Sequence, residues 1–590
     1  MNEFHDIILS FLTKDEKLSR PTEESFFLPI HYLDEGKKHK LDDTIVDDLE
    51  LMNAKNTDSI YQKIFEPKTV FGKEYLHMWS KEFASDVVFL KDSQKLLYKF
   101  SPDIDSKYDT VGEYSNIHAI WNSIYNDKNF KEKYNYIDIP MLMQLNNYPA
   151  VLQVLSLQQL TSPVISLLTP FVLLIIPFIL LRIQNIKIST AAYISALKDI
   201  AAHHPIGKLF ENIKEMSWEK RIYMVMSVSF YFIQIYQNIV SCNRFYKNMF
   251  IIHENICKLT QYIHHSTCQM KHLLQLTLNF KSFSDFNRVC QTHLATLQGM
   301  HEMFRNVQPF KLSLMNLTKI GQHMKYYYDL YSDASMISAM RYTFGFNAYY
   351  EHLATLTVLA QTKQISKCSF RRKNTVMKDF YYPLLADPIK NSIQISKKVT
   401  ITGPNAAGKT TLIKSILLNI IVSQQFGYGF YKKAIINPYQ FLHCYLNIPD
   451  TSGRDSLFQA ESRRCIDILN CFLSNKDARH FCIFDELYSG TNPYEAVASA
   501  YGFITYLTKY SNIDLLLTTH YCQLCNILPS EHVDNMHMQI KNEDNDDCEI
   551  SYLYKLGDGI SSVKGGIKVL RDLKYPDEII NSTKTILKTL

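Results

Sequence analysis

Residues 400–411 read TITGPNAAGKTT. Within them Gly403, Pro404, Asn405, Ala406, Ala407, Gly408, Lys409 and Thr410 fit the pattern G-x-x-x-x-G-K-[ST], and Thr411 follows directly. Such a loop turns its backbone N–H groups, and the N-terminus of the helix after it, toward phosphate oxygens. Lys409 is placed to reach the outer phosphates of ATP, and the Thr410 hydroxyl to hold Mg2+. Residues 481–486 (FCIFDE) form an apolar run that ends in two acids. Asp485 is expected to hold the same Mg2+ through water, and Glu486 to polarise the attacking water. A third apolar run, 515–519, ends at His520, which can hydrogen-bond the terminal phosphate or the attacking water. Ser456 opens a helical stretch with Glu461 further along, and taken alone it reads as an N-cap.

These groups need a strand before the loop and a helix after it. The β-branched run 392–401 supplies the strand and 412–422, with helical spacing, the helix. Strands and helices alternate from Asp379 onward, which predicts an α/β P-loop domain over 379–590. The chain before it reads as helical. Predicted helices cover 59–65, 73–83 and 86–98, and 99–147 is aromatic-rich and irregular. Residues 243–360 carry apolar side chains at helical spacing with few Gly or Pro. Aromatic groups such as 326–328 and 349–350 are expected in helix contacts rather than as base-stacking platforms. The basic stretch 369–374 (SFRRKN) reads as a linker, and the residues after Pro576 as an amphipathic helix.

A chain of 590 residues implies several domains, and a hydrophobic share of 46% can fill large cores. Lys and Arg (63) nearly balance Asp and Glu (58), so charge alone does not point to nucleic acid. The 12 Cys show no framework spacing, which predicts reduced thiols in a cytosol-facing protein. The one CxxC, Cys522 and Cys525, has no second pair at zinc spacing and reads as an inert helix face. Residues 1–12 contain Glu3, His5 and Asp6 and do not read as a secretion signal.

One stretch does not suit a soluble protein. No charged residue occurs over 139–181, and 163–181 (PVISLLTPFVLLIIPFILL) is long enough to cross a bilayer. Pro163, Pro170 and Pro177 recur every seven residues, and proline is better tolerated in membrane helices than in soluble ones. A membrane segment is therefore expected at 163–183, with a weaker one at 222–240. A simple outward hairpin would export the loop with Lys187, Lys198, Lys208, Lys214 and Lys220, against the positive-inside tendency, whereas a Pro-bent re-entrant wedge would not.

Taken together these residues resemble the MutS family of ATPases. GPNAAGKTT is similar to that family's GPN-x-x-GK-[ST]-T, and Ser456-Leu457-Phe458 with Glu461 resembles its S-T-F-x-x-E. Asp485-Glu486-Leu487 with Gly490-Thr491 resembles D-E-[IL]-x-x-G-T, and Thr519-His520-Tyr521 its T-H-Y. Residues 382–385 (YPLL) and Asn391 resemble the segment before the loop, where an Asn lies near the adenine; 554–559 and 566–570 resemble the closing strand and helix. Residues 69–97 are similar to the start of the family's helical core, so the resemblance covers about 44–100 and 340–590.

The resemblance implies a Mg2+-dependent ATPase that works as a homodimer or a dimer with a paralogue. Lys409 and Thr410 of one protomer would meet Ser456 of the other, and hydrolysis would change how helical levers and clamps grip DNA. Several features depart from the family. Ala406 and Ala407 stand in the loop, and Lys564-Gly565 replaces a Ser-x-Gly-like pattern. The helical core is expected to open near residue 44, leaving no room for a mismatch-reading domain, and no Phe-x-Glu wedge is placed in such a domain. The apolar insertion is closer to a membrane-anchored MutS-like branch of bacteria and large DNA viruses.

The expected architecture is a multidomain chain: an extension at 1–43, a helical core at 44–138, an apolar insertion at 139–241, a helical lever and clamp at 242–378 and the ATPase domain at 379–590. Its expected function is ATP hydrolysis coupled to DNA clamping in mismatch repair or recombination-like processes. The alternative is a membrane-anchored scaffold that moves a protein partner without DNA, its ATPase domain on the cytosolic side. A transporter subunit is disfavoured, because no LSGGQ-type signature occurs.

Overall fold

The computed structural model describes residues 26–53, 58–101, 110–183, 189–203, 217–311, 313–446, 448, 456–542, 550–561, 563 and 565–587. Most of the extension at 1–43, the lysines Lys187, Lys208 and Lys214, residues 450–455 before Ser456, and Lys564 lie outside them. The chain divides into two compact units.

The first unit contains Gly112–Thr267 and His293–Met340. It is helical, and its core is aromatic. Phe130 stacks on Tyr331 with ring centroids 4.4 Å apart, and the hydroxyl of Tyr136 donates to the Met324 carbonyl at 2.7 Å. Tyr327 is fully buried and accepts from Asn255 Nδ2 at 3.0 Å, so the tyrosines at 326–328 serve packing. Two long helices leave this core: α1 (Pro149–Ile183) and α2 (Trp218–Thr277), the latter belonging to this unit as far as Thr267.

α1 is helical for 35 residues, through Pro163, Pro170 and Pro177. Each proline lacks an N–H and leaves the carbonyl four residues earlier without its helical donor. The hydroxyl of Ser162 donates to the Gln159 carbonyl (3.0 Å), which Pro163 frees. The hydroxyl of Tyr231, from α2, donates to the Ser166 carbonyl (2.9 Å), which Pro170 frees. The helix continues because hydroxyl groups replace the missing donors. Among the described residues one stretch, Pro149–Thr169 of α1, is long and apolar enough by itself to cross a membrane, and it begins earlier than the expected segment 163–183.

The second unit contains Glu24–Val111, Cys268–Thr292 and Arg341–Leu590. Its alternating part starts at Ser366, not Asp379. Strands β1 (Ser366–Phe370) and β2 (Thr375–Phe380) both pair with a later strand, and 371–374 is the exposed turn between them. The run 392–401 is likewise two strands in different sheets, β3 (Asn391–Ile395) and β4 (Lys398–Thr402), broken at Ser396-Lys397. After β4 come α3 (Lys409–Phe426), β5 (Tyr428–Gly429), β6 (Lys433–Ile436), β7 (Phe441–Tyr445), α4 (Leu457–Ser474), β8 (His480–Asp485), α5 (Pro493–Thr508), β9 (Ile513–Thr519), β10 (Val533–Asn542) and β11 (Ile550–Asp558). The main sheet has the order β11-β10-β4-β9-β8-β7, parallel except for β11 at its edge. The second sheet has the order β3-β2-β6-β1-β5. The central parallel strands β4, β8 and β9 are buried along almost their whole length, as strands covered on both faces are.

The residues before 100 pack on this α/β body. The expected helix 73–83 is instead a short helix (Val70–Glu74), a 3-10 turn (Tyr75–Ser80) and a strand (Glu82–Ala84) that pairs with Lys38–Lys40. The carbonyls this turn leaves free are taken up by buried glutamines at the end of α3. Gln425 Nε2 donates to the Trp79 carbonyl at 2.5 Å, and Gln424 Nε2 to the Ala84 carbonyl at 2.9 Å. A third, Gln94 Nε2, donates to the Gly427 carbonyl at 2.7 Å. The tertiary bonds outweigh the local helical preference of this segment.

Candidate functional site

The loop 403–408 follows β4, the acids follow β8 and His520 follows β9. These three strands lie side by side in the order β4-β9-β8, with Thr402 opposite Thr519 and Asp485 opposite Thr518. All three segments therefore leave the same end of the sheet, where α/β folds bind ligands. Gly408 begins α3 with φ of +86°, a conformation that favours glycine, and a Cβ there would stand 3.1 Å from the Tyr554 ring.

The side chains converge. Lys409 is buried at 5% exposure, and its Nζ donates to the carbonyls of Gly403 and Pro404, both at 3.2 Å. The same Nζ lies 3.0 Å from His520 Nε2 and 3.9 Å from Glu486 Oε1. His520 Nε2 lies 2.8 Å from Glu486 Oε1. One ring nitrogen thus faces both a cation and a carboxylate. With its proton it donates to Glu486; without it, it accepts from Lys409. Burial pushes the Lys409 ammonium below its usual pKa, opposed by the charges of Glu486 and Asp485. The hydrogen bond with His520 holds the Glu486 carboxyl below its usual range despite partial burial, and the charges of His520 and Lys409 add to this.

Asp485 accepts from the Thr410 hydroxyl at 2.7 Å through one oxygen and from the Thr518 hydroxyl through the other. A hydroxyl and a carboxylate in contact beside a phosphate loop are the hard oxygen donors that Mg2+ takes. Glu486 has φ of +50° and its N–H is anchored on the Thr518 carbonyl at 3.1 Å, which fixes the turn that presents its side chain.

Beside the loop is a cavity of about 400 Å³, lined by Tyr381, Tyr382, Leu385, Met538 and Tyr554 together with Gly408 and Thr411. Asn391 lines it too and holds its wall: Nδ2 donates to the Tyr554 carbonyl at 2.9 Å, and Oδ1 accepts from the Leu556 N–H at 2.8 Å. The Ser415 hydroxyl lies in the same lining, buried and without a partner among the described residues. An aromatic cleft with one unused hydroxyl, next to a phosphate loop, fits a nucleoside.

Ser456 is not among the partners of the loop in this chain. It caps α4, accepting from the Gln459 N–H at 3.3 Å, while Gln459 Oε1 accepts from the Ser456 N–H at 3.0 Å. Glu461 on the same helix is buried and holds the turn after the two acids. It accepts from Ser489 N–H (3.0 Å), Ser489 Oγ (2.9 Å) and Gly490 N–H (3.1 Å). A Cβ on Gly490 would stand 2.7 Å from Leu457, so the helix and the turn fit only with glycine there. Sequence reasoning missed Thr518, Tyr381, Met538 and Ser415. The Thr518-Thr519 pair ahead of His520 was the available signal for the first; the others are brought in by packing alone.

A family model described as MutS domain V matches residues 399–590. The chain is 29% identical over 194 residues to the DNA mismatch repair protein MutS of Desulfatibacillum aliphaticivorans, covering 32% of this chain and 21% of that protein. With the protein of the same description from Bacteroides thetaiotaomicron it shares 30% over 196 residues, 32% of this chain and 22% of the other. With that from Leuconostoc mesenteroides it shares 25% over 250 residues, 40% and 29% respectively. The chain thus spans between about a fifth and three tenths of the length of these relatives. The loop, the paired acids, the T-H-Y strand end and the Glu461 brace all lie inside the matched stretch, so residues 399–590 are similar to MutS domain V in both sequence and the placement of these groups.

Proposed function

We propose that this protein is a Mg2+-dependent ATPase whose cycle controls a grip on DNA. The observation that carries this is the convergence of Lys409, Glu486 and His520 within 4 Å of one another at the mouth of the loop. Lys409, now bonded to its own loop carbonyls, turns its ammonium to the outer phosphates when ATP enters. The Thr410 hydroxyl and Asp485 hold Mg2+, which neutralises charge on the phosphates when bound. His520 moves to the terminal phosphate and releases Glu486, whose carboxylate then orients and polarises the attacking water. Tyr381, Tyr382 and Tyr554 enclose the base, and Asn391 keeps that wall in place. Ser456, exposed at the tip of α4, completes the site of a second protomer in a homodimer or a dimer with a paralogue. The matched relatives are mismatch repair proteins by description, which supports DNA as the partner.

A second reading is a membrane-anchored scaffold that moves a protein partner without DNA. The exposed apolar residues along α1 and α2 favour it. The deciding experiment is ATP turnover of the detergent-solubilised chain at fixed salt, alone and with perfect duplex, mismatched duplex or four-way junction, beside Glu486→Ala. Stimulation by one DNA form, lost in the variant, supports the DNA reading. A rate indifferent to every DNA yet abolished by Glu486→Ala leaves the scaffold. A rate unaffected by Glu486→Ala overturns both.

A further inference from the structure

The pairing of α1 with α2 is the part of the molecule that ATP chemistry leaves unexplained. Three hydrogen bonds set its register. Ser241 Oγ donates to Gln159 Oε1 (3.1 Å), Cys242 Sγ to the Leu160 carbonyl (3.5 Å) and Tyr231 OH to the Ser166 carbonyl (2.9 Å). From Gln159 and Leu160 on to Ser166 the partner on α2 steps back from Ser241 and Cys242 to Tyr231, so the helices run antiparallel. This register puts uncharged chain beside uncharged chain. α2 has no charged residue over 222–243, and the part of α1 opposite lies within the uncharged stretch 139–181. At 1.5 Å per residue, 222–243 is about 33 Å long, close to the ~30 Å hydrocarbon thickness of a bilayer.

Both ends of this slab are marked. At one end Arg221 sits over the ring of Trp218, 5.6 Å from its centre, and Trp218 is 77% exposed. At the other, Arg244 and Lys247 flank Tyr246. Basic and aromatic residues at the two limits of an apolar slab are the pattern of interfacial anchors.

Between these limits the pair is arranged inside out. Polar contacts lie between the helices, and the hydroxyls of Thr161, Thr169 and Ser227 donate to carbonyls of their own helix at 2.7, 2.7 and 2.8 Å. The carbonyls freed by Pro163 and Pro170 are filled by Ser162 and Tyr231. Ile165 and Leu168 on α1, and Val225, Phe230, Phe232 and Ile233 on α2, are exposed. A helix pair built for water buries its apolar stripe and exposes its polar one. Hydrocarbon demands the reverse, with every polar backbone group satisfied internally. The exposed apolar residues of α2 from 222 to 240 spread over about 200° of its circumference at 3.6 residues per turn. That is wider than one partner helix covers and suits a surrounding solvent. Gln234 and Gln237 are exposed amides in this slab, and both lie in the half nearer Arg244.

We infer that α1 and α2 cross a lipid bilayer as an antiparallel pair, the hairpin that runs against the positive-inside tendency, with one boundary at Trp218 and Arg221 and the other at Arg244 and Lys247. The inference deepens the membrane-anchored reading and does not depend on ATP hydrolysis. The full chain is expressed, and its membranes are washed in high salt and then in alkaline carbonate. The wild type stays in the pellet until detergent is added. Phe230→Lys with Ile233→Lys, at mid-slab, lowers the carbonate-resistant fraction about tenfold, while ATP turnover of the detergent-solubilised variant stays near wild type and reports a folded second unit. In vesicles of phosphatidylcholine with phosphatidylglycerol, Trp218 emission is quenched more by lipid brominated near the headgroup than near the chain end, and Trp218→Phe removes that difference. A chain that is monodisperse in buffer without detergent overturns the inference, whether as a monomer or as a dimer that covers Phe230 and Ile233. So does full release by carbonate. Loss of ATP turnover with carbonate resistance intact would break the ATPase reading and leave the helix pair standing.

Discussion

The candidate phosphate site of the second unit and the α1–α2 pair of the first meet one physical demand in opposite ways. Each must satisfy every polar group it removes from water. At the phosphate site, charged groups do so across long sequence distances: Lys409 with His520, Thr410 with Asp485, Glu461 with Ser489 and Gly490. Along α1 and α2 the solution is local and neutral, hydroxyl to carbonyl within one helix or across to its neighbour, and the outside is left apolar. The first pattern needs a water-filled cleft and a charged ligand. The second needs no water at all.

The comparison can be broken at four points, taken from the largest expected effect to the smallest. Lys409→Ala removes the group that the loop carbonyls hold ready for phosphate, and ATP turnover should fall by about 10²- to 10⁴-fold; melting should move little, because the two carbonyls can take water. An unchanged turnover would remove the charged site from the comparison.

Glu461→Ala strips three donors of a buried acceptor and should cost about 2–4 kcal/mol in chemical denaturation. Glu461→Gln should recover part of that, since an amide oxygen still accepts. Equal losses in the two variants would show that charge, not hydrogen bonding, holds the turn.

The third point concerns pH. His443 and His480 stack in the core of the second unit. His480 Nε2 donates to the Asn475 carbonyl at 3.1 Å and its Nδ1 lies 3.0 Å from His443 Nε2, so with both rings neutral His443 is the donor between them. Burial and the neighbouring His480 push His443 down to about 3, and burial lowers His480. A histidine whose folded pKa is depressed contributes fully above its unfolded value near 6.5. The contribution is then lost as pH falls toward about 3, at up to about 1.4 kcal/mol per pH unit for each group. Melting temperature should therefore drop steadily below pH ~6.5, and His443→Leu should flatten the slope. A wild-type melting curve that does not move over that range would contradict the neutral pair.

Tyr231→Phe is the mildest test. It leaves the Ser166 carbonyl without its donor where Pro170 already removed one, and should cost about 0.6 kcal/mol in detergent. Ser166→Ala, which removes a hydroxyl bonded within its own helix, should cost less; the opposite ranking would mean that Tyr231 does not substitute for the missing N–H.

Much of the candidate phosphate site could be located in the sequence, because loop and acids are contiguous motifs whose spacing is set by the chemistry. Gly408, Lys409, Thr410, Asp485, Glu486 and His520 all come to one sheet end. Element limits were less legible. The run 392–401 looks like one strand because both of its halves are β-branched, and only pairing shows that they enter different sheets. Residues 73–83 look helical because local propensity cannot see that Gln424 and Gln425, far along the chain, will claim the backbone carbonyls of Trp79 and Ala84.

The sequence by itself determined which atoms could bind phosphate and divalent cation, since a glycine loop, a lysine, a hydroxyl and paired acids act through their own chemistry. It also determined that 139–181 would carry no charge. Tertiary structure alone decided what completes those sites: the Tyr381–Tyr554 cleft, the Glu461 brace, the Thr518 contact to Asp485 and the register that lays 222–243 against α1. The reason is that hydrogen bonds and packing between distant segments depend on where the backbone places them, and a one-dimensional pattern carries that information only when both partners lie within one turn of helix or one strand.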